Sequence, residues 1–163
     1  MKKLICILSI ICLALMVLSL VLTVGCVLLQ KPLIDLIYGK SVGDAPMSVP
    51  VSPIVYSLCA AVTLALLCLI GGNQKIGIWA DVVLLGALIL VLPGLNAVLS
   101  LAQGLAGTAI ANAQGVGAIV SNAAVNQMCS FTMMPGGLGI RLALAVCGMS
   151  LVYKLLRKRQ TCL

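Results

Sequence analysis

The chain contains no histidine and no glutamate, and its acidic residues are three aspartates, Asp35, Asp44 and Asp81. Without histidine it lacks the usual general base, proton shuttle and commonest metal ligand of neutral-pH chemistry. Its cysteines (Cys6, Cys12, Cys26, Cys59, Cys68, Cys129, Cys147 and Cys162) include no C-x-x-C pair. Neither a zinc knuckle nor a thioredoxin-like redox site is therefore written here. An enzyme needs a nucleophile, a base or a metal site. We accordingly expect a non-enzymatic protein with no catalytic residue, no metal and no cofactor.

Charge is scarce as well. Only 8% of residues are charged, against about 25% in soluble domains that must present a wet surface. What fills the space is apolar: 63% of the 163 residues are hydrophobic, with a mean hydropathy of +1.27. Such a chain must face lipid. The net charge of +7 does not point to nucleic acid, because the basic residues sit at the ends of apolar runs. That placement sets orientation in a membrane.

Four runs are long enough to span, at about 4–29, 54–70, 78–101 and 138–156, each near the ~20 residues a bilayer requires. The first is too long for a cleaved signal core of about 7–15 residues. Leu22-Thr23-Val24-Gly25-Cys26 is a poor lipoprotein cleavage box, since Thr23 stands three residues before the cysteine. With both ends inside, Lys2, Lys3, Lys75, Lys154, Arg157, Lys158 and Arg159 lie in the cytoplasm, and Lys31, Lys40 and Arg141 lie outside. This obeys the positive-inside rule. The expectation is one all-α domain over 1–163: a tetraspan bundle of the cell membrane with outer segments at about 31–53 and 102–137 and a cytoplasmic tail at 157–163.

Within that frame, Pro32 is placed to open a short interfacial helix and Gly39 to close it. Pro46, Pro50 and Pro53 make an extended connector into the second span, and Pro93 should kink the third. Ser57, Ala61 and Ala65 recur every four residues, as do Gly139 and Ala143 in the fourth span. Small residues on one helix face let helices approach closely in lipid, so both rows are expected to serve packing and self-association. The stretch from Leu95 to Gln127 carries no charge. Asn96, Ser100, Gln103, Gln114 and Ser121 recur there near helical spacing, giving an extended third helix or a separate amphipathic one. This weakly polar face would line a pore between copies or bind another membrane protein. Met128–Gly137 reads as a loop.

Two charges stand close to the apolar runs. Asp81, about one turn into the third span, is expected to reach headgroup water beside Trp79, near Lys75. Arg141 is expected to snorkel outward or to pair with Asp35 or Asp44. Cys26 and Cys129 both fall on the outer side, which makes a disulfide between them a hypothesis. The expected partners are the lipid bilayer and either further copies of the chain or another membrane protein.

Overall fold

The computed structural model describes residues 2–38, 51–71, 73, 75–114 and 116–161, and among these no strand occurs. The chain is an all-α bundle with four helical stretches long and apolar enough to cross a membrane: Lys2–Leu28, Val51–Ile70, Ile78–Leu105 and Met134–Lys158. In chain order the helices are α1 (Lys2–Leu28), α2 (Gln30–Tyr38), α3 (Val51–Ile70), α4 (Ile78–Gly86), α5 (Leu92–Gln114), α6 (Val116–Thr132) and α7 (Met134–Thr161). A turn of π-helix at Ala87–Val91 joins α4 to α5.

Proline decides where these helices begin. Pro32, Pro53 and Pro135 each stand within the first turn of a helix, where a missing backbone N–H costs nothing. The α1–α2 break at Leu29 lies just ahead of Pro32, and helical bonding resumes with Leu33 N–H to Leu29 O at 3.0 Å. Pro135 similarly follows a break of one residue at Met133, so the expected loop over Met128–Gly137 is helical on both sides. Pro93 has no such freedom inside a span. Its ring would clash with the carbonyl four residues back; the backbone widens instead, and Leu92 N–H bonds to Ala87 O, five residues away. The expected kink is thus a π-bulge, a known response to such clashes.

Packing centres on α1, which lies against α7 and α3, while α3 also meets α5 and α4 meets α7. The buried side of α1 is Ile5, Ser9, Cys12, Met16, Ser19 and Thr23. These alternate by four and three residues, the spacing of a narrow seam. Across from it α7 buries Gly136, Gly139, Ala143, Cys147 and Ser150, spaced three or four residues apart. Gly139 shows why: a Cβ there would stand 2.9 Å from the carbonyl oxygen of Cys12. The polarity is inverted relative to a soluble bundle, with small and hydroxyl side chains inside. Leucine, isoleucine and valine face outward, as at Ile7, Val21, Leu69 and Val83.

This settles the two small-residue rows. Gly139 and Ala143 do pack helices, but within one chain, so they are not available for self-association. On α3 the inward row is Ser57, Ala60, Leu64 and Leu67. Ala61 and Ala65 sit half-buried at its edge, so only Ser57 of the expected i, i+4 row lies on the contact line.

The α1 start, α3 end, α4 start and α7 end share one end of the bundle. Gly71 lies against Ile5 and Ser9, and Lys154 Nζ reaches Ile70 O at 3.3 Å. At the other end three helices outrun the bundle. Ser52, in the first turn of α3, bonds Gln103, and Gln103 bonds Asn126 at 2.6 Å. The 11 residues of α5 beyond Gln103 therefore extend past the start of α3 by about 17 Å at ~1.5 Å per residue. The uncharged stretch is both things expected of it: α5 prolongs the third span, and α6 returns as a separate helix. Ile34 of α2 packs on Ala124, Val125 and Cys129 of α6. Gly39, Lys40, Asp44, Pro46 and Pro50 lie outside the described residues.

Candidate functional site

Two polar constellations stand out, one at each end of the bundle. At the end shared by the termini, Asp81 is 0% exposed. Its Oδ2 lies 2.5 Å from Lys154 Nζ, and its Oδ1 accepts a bond from Ser150 Oγ at 3.0 Å. Cys147 Sγ donates to the Asp81 backbone carbonyl at 3.4 Å. Lys154 donates further to Ile70 O, so one ammonium ties α3, α4 and α7 together. Asp81 therefore does not reach headgroup water: it faces the bundle from α4, in the row that continues with Leu84, Leu88 and Leu92. Lys154, read in sequence as part of the basic tail, was the missed residue. The signal was topological, since the start of the third span and the end of the fourth must lie on the same side.

The Asp81 carboxylate is held on both oxygens. Arg141, on the contrary, is exposed, and no ion pair joins it to Asp35. Asp44, the other expected partner, lies outside the described residues.

At the opposite end a cleft of about 390 Å³ opens between the start of α3, the middle of α5, the end of α6 and the start of α7. Its polar lining is Ser52, Asn96, Ser100, Gln103, Asn126 and Ser130. Pro53, Tyr56, Met133, Gly137 and the Cys129 thiol complete the wall. Three residues of the expected polar face are thus brought together. Asn96 and Ser100 are exposed and Gln103 is half-buried. The side chains of Gln114 and Ser121 lie outside those described.

Sequence reading did not anticipate the contributions of Ser52, Tyr56, Asn126 and Ser130, which come from two other helices. Behind the cleft a polar seam closes the wall. Ser19 Oγ donates to Thr132 O at 2.8 Å, Thr23 and Thr132 hydroxyls meet at 3.0 Å, and Ser57 Oγ reaches Met133 Sδ at 3.1 Å.

Cys26 and Cys129 are both free thiols. Burial, and then the neighbouring Cys26, push the Cys129 thiol up to about 11; α6 is not one of the spanning segments. No disulfide joins them. No group of three or more metal-ligating side chains occurs among the described residues. The chain matches no family model, no curated protein and no solved structure.

Proposed function

We propose that the protein is a non-enzymatic, self-associating membrane subunit whose copies enclose an aqueous path along the exposed side of α5. The observation that carries this reading is the display of Asn96 and Ser100, both exposed, on a helix that crosses the membrane. Amides and hydroxyls facing lipid leave hydrogen bonds unmade; facing water or protein they do not. The path runs between copies rather than through one. The axis of each bundle is filled by Met16, Leu64, Leu67 and Leu88, each no more than 1% exposed. The end that gathers Lys2, Lys3, Lys75 and the Arg157–Arg159 segment is the cytoplasmic one by charge bias, which puts both termini inside the cell membrane.

One observation favours a second reading, an accessory subunit that holds another membrane protein. Toward the cytoplasmic end the exposed surface turns apolar at Ile89, Leu90 and Val91, so the polar stripe covers only the outer half of the span. In a pore this half is a hydrophobic constriction; in an accessory protein it is simply lipid-facing. The oligomeric mass in lipid nanodiscs and solute flux in liposomes separate the two. A closed oligomer whose flux disappears in an Asn96→Leu, Gln103→Leu variant supports the pore. A monomer without flux refutes it, and loss of partner capture in the same variant then supports the accessory reading.

A further inference from the structure

We infer that the outer cleft is a binding site for a neutral, hydroxyl-rich group: a sugar or polyol, either free in solution or carried as a lipid headgroup. The inference is independent of whether the chain conducts or docks.

The lining excludes charge first. Among the described residues, none that lines the cleft is ionised at neutral pH, so a carboxylate, phosphate or ammonium entering it would give up hydration with no counter-charge from them in return. The hydrogen-bonding valences that remain are of both kinds. Ser100 Oγ donates to Ala97 O at 2.9 Å and Ser130 Oγ to Gln127 O at 2.7 Å, so each hydroxyl has used its proton and offers lone pairs. Gln103 is spent on both sides, accepting from Ser52 and donating to the Asn126 oxygen. That leaves the Asn126 nitrogen as a donor, and Asn96 adds a second amide. A wall that presents both donors and acceptors is matched by a group that both gives and accepts, which is what a hydroxyl does and a charged headgroup does not.

The cleft also has an apolar component, from Pro53, Tyr56 and Met133, suited to the C–H face of a sugar ring. Its volume, about 390 Å³, falls within the ~300–1,000 Å³ of ordinary ligand sites. Gln103 is pinned between two helices, so the polar wall is pre-organised and little side-chain entropy is lost on binding. Finally, the cleft lies level with the first turn of α3, at the edge of the apolar slab. A solute from water and a headgroup from the outer leaflet both reach it.

The test uses the full chain in phosphatidylcholine nanodiscs and four probes: methyl glucoside, octyl glucoside, octyl sulfate and octyl trimethylammonium, followed by saturation-transfer NMR and calorimetry. Binding of both glucosides, with the two charged amphiphiles excluded, supports the site and assigns a free-sugar source. Binding of octyl glucoside alone supports it and assigns a headgroup. Asn96→Leu is expected to weaken the binding several-fold, in line with one lost neutral hydrogen bond, and Gln103→Leu to weaken it by freeing Ser52 and Asn126 from their fixed places. Because Gln103 also ties α5 to α3 and α6, Asn96→Leu decides the matter if Gln103→Leu does not fold. The inference is overturned if neither glucoside binds, if charged and neutral amphiphiles bind alike, or if Asn96→Leu binds as tightly as the parent.

Discussion

Removing one partner of the Asp81–Lys154 pair should damage this protein more than removing both. At 2.5 Å the attraction between unit charges is about 7 kcal/mol for an effective dielectric constant near 20, and it is opposed by the desolvation of two groups buried to 0% and 6% exposure. The net value of the pair is consequently small, whereas an uncompensated charge in its place costs about 3–5 kcal/mol. Asp81→Asn and Lys154→Met are each expected to lower the thermal midpoint by roughly 6–20 °C, using ~2–4 °C per kcal/mol for a chain of this size. The double variant should recover most of the loss, which makes the cycle strongly non-additive. The measurement is a fluorescence or scattering melt of each variant in the same detergent. Additive effects, or single changes worth less than about 1 kcal/mol, would mean that the two side chains are solvated in the bilayer and that the pairing carries no weight; this scale separates surface from buried pairs.

Further expectations rest on other contacts. Gly139→Val, which drives a branched side chain onto the Cys12 carbonyl 2.9 Å from the Cβ position, should destabilise by at least the ~1–3 kcal/mol typical of overpacking. The exposed Gly94, with nothing within 4 Å, should accept alanine without loss. Alkylation of Cys129 should be slow at pH 8 and quicken about tenfold per unit as pH approaches 11, the value to which its thiol is raised. Because the proton is held more tightly in the folded protein, that thiol's contribution to stability is complete below pH 9 and is lost as pH rises through 11. An unshifted alkylation profile would contradict its burial. Treatment with an oxidised dithiol should link Cys26 to Cys129 within one chain, read as a mass that is insensitive to alkylation until reduction. Cross-linking between chains instead would show that the two thiols do not adjoin.

Most of the fold was legible because lipid imposes length: four apolar runs of sufficient length admit few arrangements, and the charges at their ends choose among them. What remained hidden has physical reasons. The seam of Ile5, Ser9, Cys12, Met16, Ser19 and Thr23 is inconspicuous when the opposite face is also apolar, since hydrophobic contrast is the usual signal of an inward face. Asp81 was misplaced because its depth along the span was weighed and its direction around the helix was not. The cleft was half visible. Asn96, Ser100 and Gln103 follow one helix, but Ser52, Asn126 and Ser130 come to them only through packing. No periodicity within one segment announces that meeting.

The seam between α1 and α7 joins the first of these four spans to the fourth. While the ribosome is still producing the intervening helices, α1 must stand in the membrane, or against the insertion machinery, with its inward side uncovered. Its hydroxyls are equipped for the interval: Ser9 Oγ bonds Ile5 O at 2.8 Å and Thr23 Oγ1 bonds Ser19 O at 2.8 Å, both inside the same helix, where such back-bonding is self-sufficient. Ser19, which donates to Thr132, is the hydroxyl that waits for a later helix, α6. Nascent chains shorter than α7 are therefore expected to leave a groove of small residues open to lipid, and the completed fourth span to close it in one step.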